Sequence, residues 1–138
     1  MVTRLNPYLN FTTEAREALE FYHAALGGKL EIMSFADGGM AGDDPTTADL
    51  VMHGAVVGDL GLTIYASDAP PGGDTPVAGT HVNVSISSDD TDLRPIWDKL
   101  TEGAEVVVPF EVAPWGDRFG LFNDKFGIAW LINQNGSL

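Results

Sequence analysis

The chain has 138 residues, 44% of them hydrophobic, with seven Phe, three Trp and no Cys. A chain near this size buries about two-thirds of its unfolded surface and needs no staple; the lack of Cys excludes a disulfide scaffold, a thiolate metal site and a Cys nucleophile. Twenty acidic against seven basic residues give a formal charge of −13, which repels phosphate backbones and anionic lipid and so argues for plain solubility over nucleic-acid or membrane roles.

The segment Met1 to Pro7 lacks the apolar core of a signal peptide, and no apolar run approaches the roughly 20 residues that span a bilayer. The expectation is a cytoplasmic protein. Leu5 to Phe11 then alternates apolar and polar as a half-buried strand does. Thr12-Thr13-Glu14 has N-cap chemistry with acid in the first turn. Ala18, Phe21, Tyr22, Ala25 and Leu26 follow at the spacing of an amphipathic helix, which Gly27-Gly28 ends. Three strands are expected next, over Lys29 to Phe35, Leu50 to Val57 and Leu60 to Ala66, with Gly58-Asp59 as a tight turn. Ala36 to Asp49 and the Pro/Gly-rich Ser67 to Gly79 read as mobile connections.

The same order then returns. His81 to Ser87 alternates as a strand, Ser88-Asp89-Asp90-Thr91 opens a helix, and Leu93, Ile96, Trp97 and Leu100 form its apolar stripe up to Gly103. Pro95 falls in the first turn, where its missing N–H costs little. Strands follow at Glu105 to Phe110, around Arg118 to Asn123, and at Ile128 to Asn133. Each half reads β-α-β-β-β, an α+β chain forming one domain over residues 1–138: module one 1–66, a linker 67–79 and module two 80–138.

An amphipathic helix covers one face of its sheet. Leu5, Leu9 and Phe11 are its natural partners in the first strand, which turns Asn6, Tyr8 and Asn10 the other way. In the fifth strand Val82, Val84 and Ile86 face the helix, and His81, Asn83 and Ser85 face away. Thr63 and Tyr65, and Ala129 and Leu131, share those outward faces. If the sheets curl toward each other, the polar rows line one cleft with the hydrogen-bonding groups a small ligand needs. An open sheet would turn the same rows to water, and periodicity does not choose between the two.

Asn6-Pro7-Tyr8-Leu9-Asn10-Phe11, Ala15-Arg16-Glu17-Ala18-Leu19-Glu20-Phe21-Tyr22 and Leu26-Gly27-Gly28 resemble the opening of PhnB-like proteins. Pro114-Trp115-Gly116-Asp117-Arg118-Phe119-Gly120 and Asp124-Lys125-Phe126-Gly127-Ile128-Ala129-Trp130 resemble their close. His53 and the Ser67-Asp68 pair fit the same pattern. The group belongs to the vicinal oxygen chelate superfamily, with glyoxalase I, bleomycin-resistance proteins and ring-cleaving dioxygenases. The resemblance implies a paired βαβββ fold, homodimers, and curled mixed sheets enclosing a site. It also implies, for metal-using members, His or Gln, Glu, His and Glu ligands on the first, fourth, fifth and eighth strands. Here those positions fall at Asn6 or Tyr8, near Thr63 or Tyr65, at His81 and at Leu131, so only His81 matches. One imidazole without a carboxylate is short of the three protein ligands typical of a catalytic metal.

The expectation is therefore a protein that binds a small organic molecule without a complete metal site and with no cofactor. Its cavity residues would be Asn6, Tyr8, Asn10, His53, Tyr65, His81, Asn83, Trp115 and Arg118. The alternative is a metal-dependent lyase, isomerase or dioxygenase in which a divalent ion is held by His81 with His53 or further ligands. His53 and His81 can equally be hydrogen-bonded packing residues. His23, on the polar side of the first helix, reads as solvent-facing, and Trp97 and Trp130 read as core. Trp115 with Asp117 and Arg118 fits either a cavity rim or a turn fixed by an internal Asp–Arg pair.

Overall fold

The computed structural model describes residues 4–39, 45–69, 76, 77, 79 and 82–137. The chain divides into two compact units, Met1–Val77 and Ala78–Leu138. In the first, β1 (Tyr8–Phe11) leads to α1 (Ala15–Leu26), β2 (Lys29–Ser34), a short α2 (Pro45–Ala48), β3 (Val51–Val57), a 3-10 turn (Asp59–Gly61) and β4 (Thr63–Asp68). In the second, β5 (Val84–Ser88), α3 (Arg94–Leu100), β6 (Glu105–Val112), β7 (Arg118–Asn123) and β8 (Ala129–Gln134) follow.

Both units have the same topology. The sheets run β1-β4-β3-β2 and β5-β8-β7-β6. In each, the first strand lies parallel to the last and the remaining pairs are antiparallel. The repeat expected from the element order is thus a repeat of strand pairing as well. This is the α+β, mixed-sheet architecture, with each sheet open.

Alternation decides which face each helix covers. In β1, Leu9 and Phe11 are buried while Tyr8 and Asn10 are exposed. Ile64 and Ala66 of β4 and Val56 of β3 share the buried face with Ala15, Ala18, Leu19, Tyr22, Ala25 and Leu26 of α1. Leu19 joins the expected stripe and Phe21 sits at its half-buried margin.

Both leading strands start later than their alternation suggested. Leu5 is 99% and Val82 77% exposed, so neither joins the helix-facing core assigned to it. In the first unit, Pro7 lacks a donor for the ladder; its carbonyl still accepts from the Tyr65 amide at 3.0 Å. The β3–β4 connection is also longer than a Gly58-Asp59 turn. Leu60 (φ 45°) and Gly61 (φ 74°) prolong it, and the Gly58 amide donates to the Leu62 carbonyl at 2.7 Å, so β4 starts at Thr63.

The second unit has an aromatic core. Trp97 stacks on Phe110 at 5.2 Å and meets Phe122 edge-on at 5.1 Å, and Phe122 stacks on Trp130 at 6.2 Å. Gly120 lies under the Trp97 indole, where any Cβ would collide with the ring. Asp124, 4% exposed, ties the β7–β8 turn to this core. Its carboxylate accepts the Trp130 Nε1–H at 2.9 Å and the amides of Phe126 and Ile128 at 2.9 and 3.0 Å.

The helix starts correct the capping expectation. Neither Glu14 nor Leu93, the residues at the two N-caps, makes a side-chain cap bond. Instead the buried Asp68, at the end of β4, accepts the Ala15 amide with one carboxylate oxygen and the Val51 amide with the other, both at 2.9 Å. Gln134, at the end of β8, accepts the Leu93 amide at 2.6 Å. Ser88 closes a local turn before α3, accepting the Thr91 amide at 3.0 Å. His23 is not a free surface group either: its Nε2 lies 2.9 Å from the Gly28 carbonyl, closing the C-terminal turn of α1.

Candidate functional site

The face of the first sheet opposite α1 gathers the chemistry. Register places Tyr8 of β1 beside Tyr65 of β4, Tyr65 beside Ala55 of β3, and His53 of β3 beside Met33 of β2. Ala55 is small, so the two longer side chains flanking it meet diagonally, and the His53 and Tyr65 rings lie 5.2 Å apart at 65°. β1 and β3 are separated by β4, a backbone gap of about 10 Å at ordinary strand spacing. A tyrosine reaches across it: Tyr8 Oη lies 2.8 Å from His53 Nδ1. The Tyr8 ring stands 5.6 Å from His53 and 6.0 Å from Tyr65, in the tilted and edge-to-face geometries aromatic pairs favour.

Around this cluster the same face carries Asn10 beside Ser67. On β2 it carries Met33 and the ion pair Lys29–Glu31, whose Nζ–Oε1 distance is 2.8 Å. The hydrogen bond and charge of Lys29 hold the Glu31 carboxyl below its usual range, with a smaller contribution from His53. The same partnership raises the Lys29 ammonium. At one end of the face a depression of about 380 Å³ is lined by Arg4, Leu5, Asn6, Val57, Gly61 and Thr63. Three expected site residues, Tyr8, His53 and Tyr65, are brought into mutual contact. Asn10 shares their face and Asn6 lines the depression.

Of the remaining expected site residues, His81 lies outside the described residues, as do 40–44 of the first connection expected to be mobile and most of the second. Asn83 is exposed just ahead of β5. Trp115, in the β6–β7 turn, is 61% exposed and meets Phe119 edge-on at 5.2 Å. Arg118 pairs in register with Gln134, which places it on the α3 side of its sheet, its guanidinium 5.9 Å from the Phe110 ring. Arg94 lies over the same ring at 4.8 Å. Asp117 accepts from Asn133 Nδ2 at 3.2 Å and the Gly136 amide at 3.4 Å; these hold the turn in place of an Asp117–Arg118 pair.

Three residues of the Tyr8–His53 face, Met33, Glu31 and Lys29, were not singled out from the sequence. The period-two pattern of β2 was their only signal, because register, not composition, aligns that strand with His53.

A divalent metal is implied by the resemblance, and the donor set can be tested against it. Among the described residues no three His, Asp or Glu side chains converge. The corresponding positions hold Asn6 or Tyr8, Thr63 or Tyr65, and Leu131, and His53 Nδ1 is engaged by Tyr8. These described residues do not fit such an ion. Among them, too, no helix is long and apolar enough to cross a membrane.

Residues 4–132 match the family described as the Glyoxalase/Bleomycin resistance protein/Dioxygenase superfamily. The chain belongs to that superfamily. It is 27% identical over 139 residues to Protein YjdN of Escherichia coli K12, covering 94% of this chain and 93% of that one. The crystal structure of protein PA1353 from Pseudomonas aeruginosa is similar at a TM-score of 0.79 and 30% identity, covering 97% of this chain and 98% of that one. The fold is also that of a PhnB protein from Bacillus cereus, with a TM-score of 0.73, 20% identity, and coverage of 96% and 99%.

Proposed function

We propose that this protein binds a small organic molecule on the open face of its first sheet, without a complete metal site. The observation behind this reading is the Tyr8–His53 hydrogen bond at 2.8 Å between half-exposed side chains. If the Tyr8 hydroxyl donates to Nδ1, the neutral imidazole carries its proton on Nε2 and can donate it to a ligand acceptor. Asn10, Ser67 and Asn6 supply further polar groups around an aromatic centre, the composition of small-molecule sites. In this reading the protein acts in the cytoplasm as a homodimer.

Thermal and NMR screening against a compound library tests it. A ligand at 100 times its Kd adds about 2.7 kcal/mol of apparent stability, and Tyr8→Phe and His53→Gln would each reduce that gain. No stabilisation by any compound, or gains indifferent to both substitutions, would remove the proposal. Near-stoichiometric zinc, nickel, manganese or iron in protein purified without chelators, lost in His81→Ala, would replace it with a metal-dependent enzyme. A monomer mass in sedimentation would remove the dimer.

A further inference from the structure

We infer, building on the reading that this face binds a ligand, that the ligand is a planar conjugated ring compound with a hydrogen-bond acceptor on its edge. Tyr8, Tyr65 and His53 are packed together at centroid distances of 5.2 to 6.0 Å with interplanar angles of 42° to 73°. Rings this close, one pair tilted and two edge to face, pack against one another and leave no slot for a guest between them. A guest would lie against the aromatic patch that they make across β1, β4 and β3.

Such a surface rewards a flat, polarisable partner over a saturated one, because ring–ring contact adds to simple area burial. Met33, 44% exposed and paired in register with His53, extends it with a soft thioether, which also favours aromatic contact. The polar requirement follows from the hydrogen bond inside the cluster. Nδ1 of His53 is occupied by Tyr8 Oη; in the tautomer in which Tyr8 donates, the imidazole offers Nε2–H, and a ligand acceptor answers it.

The test compares 2-quinolone with its fully saturated octahydro analogue, which keeps the skeleton and the lactam carbonyl and loses flatness and ring conjugation. Both are titrated into the whole chain and followed by ligand proton shifts and by the resonances of Tyr8, His53 and Tyr65. The expected result is at least about tenfold tighter binding of 2-quinolone, equivalent to about 1.4 kcal/mol, with upfield ring-current shifts of its protons. Tyr65→Leu and His53→Leu, each confirmed as folded by circular dichroism, should each weaken it about tenfold or more. Equal affinity of the two compounds, or binding unaffected by both variants, overturns the inference. If 2-quinolone fails while a mixed fragment set still moves the three resonances, the ring class is wrong and the binding face stands. If nothing in the set moves them, both fall.

Discussion

Asp68 and Gln134 stand at the same place in the two repeats. Each is the last residue of a strand that runs parallel to the first of its unit, and each accepts the amide hydrogen at the start of its own helix. Asp68 does more, since its second oxygen takes the Val51 amide that begins β3.

Asp68→Ala leaves two buried amides without their acceptor, and an unsatisfied buried donor costs about 1–3 kcal/mol. The expected loss in urea unfolding is about 3 kcal/mol, against about 2 kcal/mol for Gln134→Ala, which orphans one amide. Equal losses would show that the Val51 bond adds nothing to stability.

Asp124 and Trp130 lend themselves to a double-mutant cycle. Trp130→Phe removes the Nε1–H donor at 2.9 Å and keeps a large ring, whereas Asp124→Ala removes the acceptor. A coupling energy of about 1–2 kcal/mol is expected for residues joined in one buried network. Additive losses would place the value of Asp124 outside its bond to Trp130, as in its bonds to the Phe126 and Ile128 amides.

Gly28 and Gly39 have similar backbones and different surroundings. Their φ values are +78° and +71°, but a Cβ on Gly28 would overlap the Val57 carbonyl oxygen, while one on Gly39 would meet nothing within 4 Å. Gly39→Ala should cost about 1 kcal/mol for left-handed backbone alone. Gly28→Ala should cost several times that or abolish folding, as thermal melts would show.

The Lys29–Glu31 pair sets a pH window. The lowered Glu31 carboxyl favours the folded state above its unfolded pKa, and that contribution disappears as pH falls through the lower folded value. The raised Lys29 acts in reverse: its contribution is complete below its unfolded pKa and is lost as pH rises through the folded one. Carbon-13 titration of the Glu31 carboxyl should therefore give a midpoint below the ordinary Glu range, moving up in Lys29→Gln. Global stability should barely change, since exposed pairs contribute little.

Tyr8→Phe keeps the ring contacts and deletes the hydroxyl. Stability should fall by about 1 kcal/mol or less, while the His53 Nδ1 nitrogen resonance moves as it loses its donor. An unchanged Nδ1 signal would mean that the hydroxyl does not hold the imidazole in solution.

Much of this fold was legible in the chain, because side-chain alternation and the 3.6-residue stripe are local. Leu9, Phe11, Ile86, Trp97 and Trp130 are where their spacing put them. Connections to distant residues were not legible. Nothing near Ala15 announces that its amide is capped by Asp68, and nothing near Leu5 or Val82 shows that pairing begins only at Tyr8 and Val84. The site divides the same way. Tyr8 and Tyr65 could be assigned to one face from periodicity, whereas the third strand does not alternate and left the face of His53 open; the contact of the three depends on the order β1-β4-β3 and on the small Ala55 between them.

That strand order also constrains how the chain comes together. Because β1 pairs with β4 among the described strands, Tyr8 finds that neighbour only after Tyr65 has been synthesised, and β5 likewise waits for β8. Closing such long loops slows the search for the native state. In each half the β-hairpins of the last three strands can form early, while the leading strand is held back until its half is complete. During translation, a nascent chain cut off before Thr63 would leave Leu9 and Phe11 without the strand beside which they are buried.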